Sequence, residues 1–253
     1  MVSVKYYVVA LVFVMTALSS TAFAGPPFET DDAELPDPGE WEFTVPLTFE
    51  RDDHGEVSGS FIDLDINYGI NEVSQFSVEV PWNFDHPPGG PTVAGVGDTA
   101  VEYKWSPRSG RSHMFAVNVE FTIPTGDEAR GLGSGQAYGE LSLLYEITGG
   151  RSTWMNDVTW APKQGNDAEA DWFVGSAYLH DVGGGLELGG EAYYTSPDEP
   201  GADGTVTVAL GGIWDYTEDR ELMFSVGRGL DGDPDYTGFL GVNFTGITFR
   251  GSR

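Results

Sequence analysis

From Glu40 to the C-terminus the sequence keeps returning to a period of two, and little except a β fold satisfies that period. Trp41, Phe43, Val45, Leu47 and Phe49 alternate with Glu42, Thr44, Pro46 and Thr48, the pattern of a strand with one apolar and one polar face. Ile62, Leu64, Ile66 and Tyr68 alternate with Asp63, Asp65 and Asn67. Phe76, Val78, Val80 and Trp82 alternate with Ser77, Glu79 and Pro81. Val101, Tyr103 and Trp105 alternate with Glu102 and Lys104, and Phe115 to Ile123 repeats the pattern around Asn118 and Glu120. Further strands fall near 136–148, 152–161, 170–180, 185–195, 204–216, 220–228 and 236–249, which makes twelve. Pro46 lacks a ladder donor and marks an edge, a bulge or a kink.

The connections carry a second period. Those at 69–72, 107–111, 149–151, 181–184 and 217–219 are tight, whereas those at 51–59, 83–95, 124–135, 162–169, 196–203 and 229–235 are mostly longer. Alternating short turns and long loops are the mark of an up-and-down barrel in the outer membrane. An even strand number returns both termini to the periplasmic side. Most segments match the ~9–11 residues that a tilted strand needs to cross a bilayer. Trp41, Trp105, Trp154 and Trp214 lie beside short turns or the N-terminal entry, and Trp82, Trp160 and Trp172 beside long loops, as two interfacial belts require. A soluble periplasmic β-sandwich also alternates, but it gives no reason for the short–long rhythm or for Trp at both rims. The expected fold is all-β, a closed antiparallel up-and-down outer-membrane β-barrel of about twelve strands.

The first 24 residues read differently. Lys5 is followed by the largely apolar run Tyr6 to Leu18 and by Ala22-Phe23-Ala24, the parts of a cleaved secretory signal peptide. The run falls short of the ~20 residues of a spanning helix, and no Cys follows the cut that could carry lipid. No later stretch approaches 18 consecutive apolar residues, so a structure that spans a membrane must be a closed barrel. The organisation is therefore a signal peptide at 1–24, an irregular periplasmic N-terminal segment at 25–39, and a barrel domain at 40–253.

If the apolar faces meet lipid, the polar faces line a lumen. That assigns Glu42, Asp63, Asp65, Glu79, Glu102, Lys104, Glu120 and Arg228 to the interior, with Asn118, Glu140, Glu146, Glu187, Glu191 and Asp215 beside them. The whole chain holds 12 Lys plus Arg against 40 Asp plus Glu, a net charge of −28. Such a balance argues against nucleic acid, which needs a basic surface. A lumen biased to carboxylates favours cations and polar solutes. The alternative is a hydrogen-bonded plug in which Lys104 and Arg228 serve as counter-charges.

No motif calls for catalysis or a cofactor. Cys is absent, which removes thiolate chemistry and Cys-ligated metals. His54, His86, His113 and His180 read as solvated residues in or near connections, without the context of a Ser–His hydrolase. Asp231, Asp233 and Asp235 have the first spacings of a calcium loop, but Tyr236 stands where Gly is needed and Val242 where Glu is needed. The Gly131-Leu132-Gly133-Ser134-Gly135 stretch lacks the βαβ setting of a phosphate loop. No metal site is assigned.

Five elements carry a family resemblance: Gly25-Pro26-Pro27-Phe28 with Thr30-Asp31-Asp32; Ile123-Pro124-Thr125-Gly126-Asp127 followed by Arg130-Gly131-Leu132-Gly133-Ser134-Gly135; Asp171-Trp172-Phe173; Leu188-Gly189-Gly190-Glu191; and Ser225 to Leu230. In order and spacing they resemble the meta-pathway phenol-degradation family of bacterial outer-membrane barrel proteins. The resemblance covers the mature chain and implies a transporter-like barrel linked to small organic solutes, aromatic ones included. The expected partners are outer-membrane lipid, the insertion machinery and such solutes, and the oligomeric state is left open. Two alternatives remain: a plugged structural or surface-anchor barrel, and an outer-membrane lipid hydrolase. One departure from outer-membrane barrels is the end of the chain, where Phe249 is followed by Arg250 to Arg253 rather than closing on an aromatic residue.

Overall fold

The computed structural model describes residues 27–52, 54–107, 112–162, 170–197, 204–230 and 234–249. The expected signal peptide and residues 250–253 lie outside them. Thirteen strand segments follow one another: β1 Trp41–Arg51, β2 Val57–Asn71, β3 Ser74–His86, β4 Val93–Val96, β5 Thr99–Trp105, β6 His113–Ile123, β7 Tyr138–Gly149, β8 Ser152–Ala161, β9 Asp171–Asp181, β10 Leu186–Thr195, β11 Thr205–Thr217, β12 Arg220–Gly229 and β13 Tyr236–Ile247. Apart from β4 and β5, consecutive strands pair antiparallel, and β1 also pairs with β13, which closes the ring. The segments β4 and β5 both lie against β3, so they are one wall strand broken at Gly97-Asp98. The barrel therefore has the twelve expected wall positions. The pairing of β1 with β13 closes the sheet on itself, which is the condition for carrying a sheet through lipid.

Alternation becomes inside and outside. On β6, Asn118 and Thr122 are buried while Val119, Phe121 and Ile123 are exposed. The rule bends at two places. A register shift between Ser60 and Ile62 leaves Phe61 and Ile62 both exposed on the outer wall, as one extra residue in a bulge does. On β1 the pairing with β2 is interrupted between Thr44 and Thr48, around Pro46, which has no N–H to donate. Six of the seven Trp are exposed on the outer wall, and Trp160 faces Trp172 across β8 and β9 at the long-loop end. No described helix is long and apolar enough to cross a membrane.

The interior holds few apolar contacts. Its two apolar clusters are small: Ala33 with Ala116 and Leu144, and Met155 with Ala177 and Leu179. Most buried side chains are polar and hold one another. Asn243 donates to Glu42 Oε1 at 2.9 Å and to Glu221 Oε2 at 3.3 Å, and it accepts from Thr44 Oγ1 at 3.0 Å, tying β1, β12 and β13 together from inside. Asn67 Oδ1 accepts from Gln75 at 2.8 Å and from Ser77 at 2.5 Å. Such ladders satisfy buried polar groups that would otherwise be costly.

Residues 27–38 form no strand and lie inside the barrel. Residues 27–38 enter at the short-turn end, where Gly39 N donates to Gly69 O at 2.7 Å. A side chain at Gly69 would run into the Pro36 and Asp37 carbonyls. Further up, Thr30 and Ala33 are fully buried. Glu191 on β10 accepts the N–H of Glu29 and of Thr30, both at 3.1 Å, and the Thr30 hydroxyl at 3.0 Å. Lys104 on β5 donates to Asp31 Oδ1 at 3.1 Å and to the Asp32 carbonyl at 3.3 Å. Five wall positions separate β5 from β10 in the ring of twelve, so this strap crosses the lumen close to its diameter.

Candidate functional site

The lumen is not filled by the strap. Towards the long-loop end lies a vestibule of ≈ 750 Å³, whose lining includes Pro27, Ser60, Asp85, Leu132 and Tyr138. Towards the short-turn end lies an inner chamber of ≈ 540 Å³. Phe28, Glu29, Asp63, Glu79, Glu120 and Phe239 line both spaces, so the two meet at a waist of carboxylates and aromatic rings.

The loop after β6 shapes the vestibule. Residues 124–137 fold against the break between β4 and β5 instead of standing free. Asp98, half-buried in that break, accepts the N–H of Ser134 at 2.6 Å, its hydroxyl at 2.7 Å and the N–H of Gly126 at 2.9 Å. Its slight burial works the other way, but the donors from Ser134 and Gly126 hold its carboxyl below the usual carboxylate range. Thr125 Oγ1 accepts from Thr99 N and donates to Gly97 O, each at 3.0 Å. Leu132, buried at the loop's centre, joins Gly131, Gly133 and Ser134 in the vestibule wall. The glycine-rich stretch is thus part of the vestibule wall.

Charge in the chamber is one-sided. Twelve carboxylates line it against a single basic residue, Lys104, and Lys104 is spent on the strap. Glu42, Asp63, Asp65, Glu79, Glu102 and Glu120 are all among the lining residues. Glu102, Glu120 and Glu140 stand directly opposite one another on β5, β6 and β7, and Asp65 stands opposite Glu79 on β2 and β3. Like charges placed opposite one another weaken a sheet.

Arg228 is not in the lumen. It shares the parity of the exposed Val226 and is itself exposed on the outer wall at the long-loop end, 3.9 Å from Asp235 and with its guanidinium 5.5 Å from the centre of the Tyr236 ring. Arg228 continues the outward parity of Leu222, Phe224 and Val226, so its charge, not the alternation, pointed inward. The strap contacts, by contrast, join residues far apart in sequence and leave no periodic trace. The same holds for the apolar side of the chamber, formed by Phe28, Phe173, Met223 and Phe239.

The histidines lie at the rims. His86 Nδ1 is 2.8 Å from Thr92 Oγ1, His113 Nδ1 is 2.8 Å from the Tyr145 hydroxyl, and His180 Nδ1 is 2.9 Å from Ser152 Oγ. The last is a Ser–His pair that sequence reasoning had missed, because β8–β9 pairing brings the two together. It is exposed on the outer wall, and the Ser152 hydroxyl also meets the Tyr178 hydroxyl at 2.8 Å. These contacts belong to the aromatic girdle of the short-turn end rather than to the lumen. Of the three-aspartate loop, Asp231 and Asp233 lie outside the described residues. Among the described residues no group of three ligating side chains is close enough to hold a metal.

Comparison with known proteins adds a family and a fold. Residues 25–246 match the family described as "Putative MetA-pathway of phenol degradation". No curated protein sequence matches the chain. Among solved structures, the COG4313 outer membrane channel from Pseudomonas putida F1 superposes with a TM-score of 0.66 at 17% identity, covering 85% of this chain and 98% of that one. The NanC porin gives 0.58 at 9% identity, covering 80% and 99%. The KdgM porin gives 0.54 at 10% identity, covering 81% and 99%. At these identities the likeness is one of fold, the closed barrel of outer-membrane proteins.

Proposed function

The chain belongs to this MetA-pathway phenol-degradation family, and from that premise we propose that it is an outer-membrane channel for small organic solutes, with a lumen that favours cations. The observation that carries the reading is the acidic waist joining vestibule and chamber inside a closed barrel. A girdled apolar outer wall matches a bilayer, and carboxylates along a narrow polar path attract cations and repel anions. The long-loop end then faces outward and the strap enters from the periplasm. Family membership, not charge, adds aromatic solutes to the range. The channel moves solutes without chemical turnover; the exposed Ser152–His180 pair lies on the outer wall, away from that path.

Fractionation and planar-bilayer recording test this together. The expected result is a heat-modifiable protein in the outer-membrane fraction that gives cation-selective steps in KCl. A chain recovered in the soluble periplasm, or anion-selective steps, would overturn it. The strap favours a second reading, a closed barrel serving as scaffold or anchor. An intact, membrane-inserted protein with no steps, even after removal of residues 27–38, would put that reading first.

A further inference from the structure

The inner chamber has the chemistry of a binding site rather than of a passage alone. Its volume of ≈ 540 Å³ falls in the ~300–1,000 Å³ range of small-ligand sites. On β5, β6 and β7 it presents Glu102, Glu120 and Glu140 side by side. Elsewhere on its circumference it presents the rings of Phe28, Phe173 and Phe239. Two residues from Glu120 on β6 is Asn118, only 6% exposed, whose Oδ1 accepts no hydrogen bond. A buried carbonyl oxygen without a donor is costly, and this one lies in the wall of a chamber rich in acceptors. What this surface lacks is positive charge beyond the occupied Lys104. We infer that the inner chamber binds small organic ammonium ions that carry an apolar, ring-sized body.

Each part of such a solute has a counterpart. An ammonium group brings three donors and no acceptor, which suits a row of carboxylates and the free Asn118 oxygen. The rings attract a cation through their faces and pack on an apolar body. A bare divalent metal fits less well, because no described triad of side chains is drawn together as ligands. An organic anion meets twelve carboxylates and one occupied Lys104. A neutral alcohol leaves the like-charged ladder unrelieved. This inference rests on the channel reading for the solute's way in, but the chamber can be tested without conduction.

The test titrates the purified, detergent-solubilised full barrel calorimetrically with phenethylammonium, phenethyl alcohol and phenylacetate at pH 7, alongside tetramethylammonium. Phenethylammonium should bind at least tenfold tighter than each of the other three. Glu120→Gln and Phe239→Ala should each weaken it about tenfold, as should Asn118→Leu, which removes the free oxygen at similar volume. Heat-modifiable mobility identifies variants that keep the barrel. Failure of phenethylammonium to bind overturns the inference, as does equal binding of the alcohol. Equal binding of tetramethylammonium overturns the part played by the rings. In parallel bilayer recordings, amine-dependent interruptions of the KCl current support the inference. If binding is as expected but no current flows, the chamber stands and the channel reading fails.

Discussion

Lys104 Nζ sits 3.0 Å from Asp31 Oδ2, and this pair anchors the strap to the wall opposite Glu191. Both anchors are polar and reach the strap through a few atoms. The apolar support is small, with Ala33 against Ala116 and Leu144, and Phe28 beside the cluster of Met155, Ala177 and Leu179. The strap is therefore held far more weakly than any wall strand, which has a neighbour along both edges. Local stability follows such differences in support.

Lys104→Met should release the strap on the β5 side. Removing one partner of a sealed ion pair costs ~3–5 kcal/mol; Asp31 is 32% exposed, so about 2 kcal/mol is expected here once solvent screening is counted. Single-channel conductance should rise severalfold, and a chain lacking residues 27–38 should show the same rise. Combining the two changes should add nothing further. If Lys104→Met leaves conductance at the wild-type level while the deletion raises it, the Lys104 pair is not what holds the strap.

Gly175→Ala tests the same strap from β9. A Cβ there would run into Thr30 Oγ1 and the Phe173 ring. The barrel can keep its pairing, so the strap must give way, at a cost of ~1–3 kcal/mol typical of overpacking. N-terminal residues should become open to added protease while the heat-modifiable band persists. Gly149→Ala is the control, because a Cβ at Gly149 meets nothing within 4 Å.

How far the sequence reached depends on what each feature is made of. Strands such as β6 were legible because large apolar and polar residues alternate without interruption, and lipid outside sharpens the contrast. The break at Gly97-Asp98 was not, because β4 is only a short segment bounded by glycine. Arg228 was misplaced because its charge was taken as inward, although Leu222, Phe224 and Val226 set an outward parity at its position. Phe61 and Ile62 share a face only because of the bulge beside Ser60. The acidic lining was visible as residue types; the opposition of Glu102, Glu120 and Glu140 needed the register. The strap was seen as irregular, but its place in the lumen depends on Lys104 and Glu191, 73 and 161 residues from the strap residues they hold.

Acid should loosen the loop over the vestibule. The Asp98 carboxyl is below its ordinary range when the loop is folded, so its contribution is present above the unfolded value of ~3.9 and is lost as pH falls through the lower folded one. Current noise from loop motion in the wild type should stay low down to about pH 4 and grow below it. Asp98→Asn keeps the shape but loses the charge-assisted bonds, each about twice as strong as a neutral one. It should be noisy at every pH, without the acid step. A wild-type trace that is equally quiet at pH 3 would remove Asp98 as the latch.

Charge selectivity separates the waist from the outer wall. Glu79 and Glu120 line both cavities, so a cation crossing the waist passes close to both. A unit charge ~6 Å away in water attracts a cation by ~0.7 kcal/mol and repels an anion by as much, which together make about a tenfold change in the cation-to-anion permeability ratio. Glu79→Gln and Glu120→Gln should each lower that ratio by about this factor, read from the reversal potential across a KCl gradient. The effect should shrink from dilute to molar salt, because the screening length falls from ~10 Å at 0.1 M to ~3 Å at 1 M. Arg228→Gln should leave the ratio unchanged, since Arg228 faces away from the path. A shift for Arg228→Gln as large as that for Glu120→Gln would mean that the loop rim, not the waist, sets the selectivity.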